Sequence, residues 1–126
     1  MDRVELLERK EKKGDILLKM VAISGEMPAN LPEKIVGSKS YTASLITALK
    51  KKGYLLLRYR DGVRGYVLGK KGKEHLLEYY HQDMESYLTG ASETNHVKSE
   101  LEKRLRLHRM SQIWTYFFIH GNLIFP

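Results

Sequence analysis

Apolar residues fall at helical spacing in several stretches of this chain and crowd into strand-like runs in one. Val4, Leu6 and Leu7, followed after a charged run by Ile16, Leu17, Met20, Val21 and Ile23, predict a helix over residues 3–24. Gly14 weakens or splits this helix, leaving a short leading segment. Ser24, Gly25, Met27 and Pro28 end the pattern, because glycine caps a helix and proline cannot continue one. Residues 29–36 leave room for one or two helical turns, with Leu31, Ile35 and Val36 as apolar contacts, Pro32 at an early position and Gly37 as the turn. Ser38 is the expected N-cap of a third helix that runs to Lys52 and stops at Gly53. At about 100° per residue, Thr42, Leu45, Ile46 and Leu49 share one face of that helix, and Ser40, Ser44, Thr47 and Lys51 share the opposite one.

The run from Tyr54 to Arg60 is rich in β-favouring residues, Asp61-Gly62 is a hairpin signal, and Tyr66-Val67-Leu68 supplies the return strand. Helical spacing resumes over residues 70–81 through Leu76, Leu77 and Tyr80. Residues 82–96 turn to Thr89, Gly90, Ala91, Ser92, Glu93, Thr94 and Asn95, the composition of a linker. Residues 97–119 form a last helical pattern whose stripe is Val97, Leu101, Leu105, Met110, Ile113, Trp114 and Phe117. Such a stripe is expected to be buried, on the preceding domain, on a second copy or on sequence that is missing. The expected architecture is mainly α with a small β-hairpin. It divides into a domain at 1–81, a linker at 82–96, and a C-terminal helix with an apolar tail at 97–126, serving dimerisation or opening a truncated second domain.

Composition sharpens this outline through charge. The chain has 126 residues and a net charge of +7, a length that supports one domain with an appended helix and excludes a multidomain enzyme. Residues 34–73 hold eleven basic and one acidic side chain, or +10, whereas residues 1–33 (six basic, seven acidic) and 74–126 (five basic, seven acidic) come to −1 and −2. One stretch therefore carries the whole excess, as a polyanion-binding surface would. The absence of cysteine excludes disulfides, thiol catalysis and thiolate zinc sites, and fits a reducing compartment. No segment approaches the roughly 20 apolar residues of a membrane span, and no apolar signal core opens the chain. A cytoplasmic protein without a membrane partner is expected.

The basic stretch coincides with the third helix and the hairpin. From Ser38 to Lys52 that helix has no acid, and its outward face is small, polar and finally basic. Small side chains let a helix backbone approach a duplex while hydroxyls and ammonium groups meet phosphates and base edges. Lys39, Ser40, Ser44, Thr47 and Lys51 are the candidate groove contacts, and Arg58, Arg60 and Arg64 the candidate hairpin contacts. No catalytic constellation accompanies them. His75, His81, His96, His108 and His120 form no close ligand pair and read as surface or packing residues, so no metal is expected. Gly69-Lys70 and Gly72-Lys73 lack the remaining features of a phosphate loop, so no nucleotide cofactor is expected either.

Leu45-Ile46-Thr47-Ala48-Leu49-Lys50-Lys51-Lys52-Gly53-Tyr54 resembles the passage from recognition helix to wing in winged helix-turn-helix domains. Tyr66-Val67-Leu68-Gly69-Lys70-Lys71-Gly72-Lys73-Glu74 resembles their strand-to-helix joint, with Gly69 where a capping Thr is usual. The likeness covers about residues 12–80. A second resemblance, through Tyr41-Thr42-Ala43, the stretch Tyr59 to Tyr66 and Leu105-Arg106-Leu107-His108-Arg109-Met110, is to the replication-relaxation-like proteins of plasmids and conjugative elements. These resemblances imply a winged helix-turn-helix plus a C-terminal helix that binds double-stranded DNA and regulates transcription, or replication and mobilisation of a mobile element. The alternative is a protein-interaction module that forms a homodimer through residues 97–119 or docks another partner there. A nuclease or relaxase fragment would need acidic metal ligands that the sequence does not supply.

Overall fold

The computed structural model describes residues 3–88 and 101–120. In chain order the elements are α1 (Arg3–Ser24), β1 (Met27–Pro28), α2 (Pro32–Val36), α3 (Lys39–Lys51), β2 (Leu55–Arg60), β3 (Val63–Leu68), α4 (Lys70–Tyr79), α5 (His81–Leu88) and α6 (Leu101–Ile119). Helix, strand, helix, helix and hairpin make a winged-helix-like arrangement, mainly α with a small three-stranded antiparallel sheet, to which α6 is added as a C-terminal helix. Among the described residues no helix is long and apolar enough to cross a membrane.

The core forms where the second half of α1 meets the other elements. Leu17, Leu18, Met20 and Val21 are buried there with Met27, Leu31, Ile46, Leu49, Leu55, Leu76, Met84 and Leu88. Gly14 does not split α1, which runs through it. A glycine inside a helix costs about 1 kcal/mol relative to alanine, less than burial of the following apolar turns returns. Gly14 is itself buried, against Leu45 of α3.

Local signals place the helix-turn-helix. Gly37 closes α2 in the left-handed region (φ 92°) and donates its N–H to Glu33 O at 2.8 Å. The Ser38 side chain accepts from Tyr41 N at 3.3 Å and so caps α3, whose buried side is Thr42, Ile46 and Leu49. Asp61 (φ 57°) and Gly62 (φ 75°) are both left-handed, the conformation of a two-residue type I′ hairpin between the paired residues Arg60 and Val63. β1 adds a third strand on the other edge of β3, pairing Met27 with Tyr66 and Pro28 with Gly65. Two residues, one of them proline, give no periodic signal, and proline is tolerated in a strand because it lies on an edge.

At the joint after the wing, Gly69 opens α4 without a side-chain cap. A Cβ there would overlap Gly53 O, so the close approach of the α3–β2 turn leaves no room for a capping side chain at this position.

Two expectations about the C-terminal third are corrected. Residues 82–88 are not linker: α5 occupies them and inserts Met84 and Leu88 into the core, with Tyr87 half-buried beside them. The spacing i, i+3, i+4 outweighs the turn-rich composition that begins at residue 89, and residues 89–100 lie outside the described residues. The apolar stripe of the last helix does not pack on the preceding domain, the first of the three places expected to cover it. α6 lies on α1 and β1 with Arg104, His108, Ser111 and Thr115 buried, while Leu101, Leu105, Met110, Ile113 and Phe117 are exposed. Trp114, half-buried against the core, is the member of the stripe that faces inward, and Val97 lies outside the described residues. The physical reason is a charge that α6 covers.

Candidate nucleic-acid interface and the charge cluster behind it

Every α3 residue expected to face a groove is exposed: Lys39, Ser40, Ser44, Thr47 and Lys51. Thr47 Oγ1 donates to Ala43 O at 2.9 Å, so its hydroxyl is left as an acceptor beside an exposed methyl. A furrow of about 340 Å³ runs beside α3, lined by Lys39, Thr47 and Lys50 of that helix, by Glu33 of α2 and by Tyr66 of the sheet.

The wing arginines divide between the two faces of the hairpin. Cross-strand partners point to the same side of a sheet and neighbours along a strand to opposite sides. Tyr59 pairs with Arg64 and Leu57 with Tyr66, which places Arg64 on the side that borders α3. Its guanidinium lies 4.9 Å from the centroid of the Tyr59 ring, a cation–π contact that leaves both exposed. Arg58 pairs with Gly65 and Arg60 with Val63, on the opposite side. Arg60 is exposed and 3.8 Å from Asp61. Arg58 is 26% exposed and turns Nη1 to within 3.7 Å of Glu26. The structure thus brings the α3 residues and Arg64 together on one surface, keeps Arg60 at the tip, and directs Arg58 inward.

Glu26 is the centre of that inward cluster and is 1% exposed. It stands between α1 and β1, and its carboxylate lies over Gly65 of β3, where a Cβ would overlap it. Arg104, 2% exposed, donates Nε–H to both carboxylate oxygens at 2.9 and 3.1 Å. His108 donates Nε2–H to Oε2. Burial pushes the Glu26 carboxyl up, and the hydrogen bonds from His108 and Arg104 outweigh it, holding the group below its ordinary value. An ionised carboxylate behind the wing is therefore balanced by cations from β2 and α6.

Sequence reasoning missed Glu26 and Arg104 and placed His108 among packing residues. A signal existed: Arg104, His108, Ser111 and Thr115 recur at i, i+4, i+7 and i+11, a polar stripe on one helical face. The hydroxyls of Ser24, Ser111 and Thr115 are also buried, with no hydrogen-bond partner among the described residues. Such groups lower stability, so this helix face was not built for apolar packing.

No protein-family model, curated protein or solved structure matches the chain.

A lowered folded-state value gives Glu26 a stabilising contribution that is complete above its ordinary value of 4.5 and is lost as pH falls through the folded value. Urea unfolding between about pH 6 and about pH 3 should therefore show the wild type losing more stability than Glu26→Gln on the acid side. Equal losses would mean that the Glu26 carboxylate is not held ionised by its partners.

Proposed function

We propose that the chain is a duplex-DNA-binding regulator, with α3 in the major groove and the β2–β3 wing against the backbone or minor groove. The observation that carries this reading is the acid-free outer face of α3, where Lys39, Ser40, Ser44, Thr47 and Lys51 are exposed while the apolar residues of the same helix are buried. An ordinary solvent-facing helix would mix acidic and basic residues. Lys39 and Lys51 meet phosphates, and the small hydroxyl residues between them let the backbone approach base edges. Thr47 brings a methyl and an acceptor, a pair suited to a thymine methyl or a base amino group. Arg64, braced on Tyr59, and Arg60 at the tip supply the wing contacts. Arg58 contributes through Glu26 instead. Regulation of transcription, or of replication and mobilisation in a mobile element, is the role that accompanies this binding.

If six or more phosphates are neutralised, affinity for duplex DNA falls by about 10³ or more between about 50 and about 200 mM salt. Arg60→Ala/Arg64→Ala lowers the slope of log affinity against log salt by about 2. Fluorescence anisotropy on a labelled duplex measures both. A flat salt response, or unchanged binding by the double variant, contradicts the reading.

A second reading is favoured by α6, which exposes Leu101, Leu105, Met110, Ile113, Tyr116, Phe117 and Ile119. Exposed apolar patches of this kind mark association surfaces, and a second copy of the chain would cover them helix against helix. Sedimentation should then give a dimer for the wild type and a monomer for Ile113→Glu/Phe117→Glu. A wild type that remains monomeric at every concentration rejects this reading.

A further inference from the structure

The charge cluster reaches further than Glu26. Arg104 has five N–H donors in a planar fork, and only Nε is used on the carboxylate. Nη1 donates to Arg60 O at 3.2 Å. Nη2 faces Val63 O at 3.2 Å and Arg58 O at 3.4 Å. A single side chain of α6 thus binds main-chain carbonyls on both strands of the hairpin, on either side of the Asp61-Gly62 turn.

We infer that Arg104 is a positioning residue for the wing: by bridging Glu26 to the carbonyls of Arg58, Arg60 and Val63, it makes α6 the brace that sets where Arg60 and Arg64 point. The wing needs such a brace. β1 pairs with β3 at Tyr66 and Gly65, midway along the hairpin, and Ala29 N–H reaches Arg64 O at 3.2 Å, so the backbone support from β1 stops short of the Arg60–Val63 pair and the turn. The side chains of Tyr59, Arg60, Asp61 and Arg64 are exposed, and among the described residues Arg64 contacts Tyr59 and Arg60 contacts Asp61, both within the wing itself. A two-stranded hairpin is marginal by itself in water. Lysine cannot replace Arg104 here, because an ammonium is a point charge that pairs with a carboxylate but does not span a fork of carbonyl acceptors.

The effect on DNA rests on the duplex-binding reading; the effect on the wing does not. The experiment therefore has two arms on the intact chain, comparing Arg104→Lys with wild type. In the first, amide hydrogen exchange at residues 59–65 should accelerate about tenfold or more, with the α3 amides unchanged. In the second, Arg60→Ala/Arg64→Ala should weaken duplex binding about tenfold or more in the wild-type background and less than about twofold in the Arg104→Lys background, because an unaimed wing has little to lose. Wing exchange that stays at the wild-type rate overturns the inference, as does an undiminished cost of the wing substitutions in the Arg104→Lys background. If the wild type binds no duplex, the duplex-binding reading falls and the exchange arm still decides the bracing role. Should Arg104→Lys fail to fold, Glu26→Gln/Arg104→Gln removes both fully buried charges together and leaves only Arg58, 26% exposed, to turn to solvent. Faster exchange in its wing supports the brace and wild-type exchange refutes it.

Discussion

A carboxylate removed from water must be paired, because the penalty for burying an ion is several kcal/mol and is recovered only through well-aligned partners. Glu26 imposes this requirement at the meeting point of α1, β1 and β3. Its position over Gly65 leaves no room for a side chain there, so the wing strand passes close beneath the charge. Arg58 reaches it from β2, and Arg104 and His108 reach it from α6. The last helix consequently lies with its polar stripe inward and much of its apolar stripe in solvent, an arrangement that hydrophobic burial alone would oppose.

That orientation joins two surfaces with different chemistry. On one side of the hairpin, Arg64 and Tyr59 extend the basic, acid-free face of α3 across a furrow. On the other, Arg58 and the carbonyls of the wing face α6. The hairpin is thereby the shared element of the proposed DNA-binding surface and of the C-terminal helix. The proposed association of α6 with a second copy would bear on DNA through this element, since the helix whose outer face is exposed is the one whose inner face holds the wing. Charge balance follows the same division: without Arg104 of α6, less of the Glu26 charge behind the residues proposed to meet phosphates would be offset.

The parts of the fold governed by local rules were legible in the sequence. Ser38 and Gly37 delimit α3 through a cap and a left-handed turn, and Asp61-Gly62 encodes its hairpin through two positive φ values. The outward placement of Lys39, Ser40, Ser44, Thr47 and Lys51 followed from helical periodicity. What local rules could not supply was pairing between distant residues. Glu26 and Arg104 are 78 positions apart, and nothing near either announces the other. The two-residue β1 is visible only through its partner strand. For α6 both stripes were present in the sequence, but periodicity could not say which of them meets the preceding domain, because that surface already holds an ion. The inward turn of Arg58 has the same origin: a cluster of three arginines reads as one basic tip until strand register separates them onto opposite faces.

The most direct measurement is solvent exchange of the Arg104 Nε–H proton by nuclear magnetic resonance, with the exposed Arg106 and Arg109 of the same helix as internal references. A proton shared by the two oxygens of a buried carboxylate should exchange as slowly as core amides, and should lose that protection in Glu26→Gln. Exchange of Arg104 at the rate of Arg106 and Arg109 would contradict the account, since it would mean that α6 does not close over Glu26 and that the wing is not tied to it.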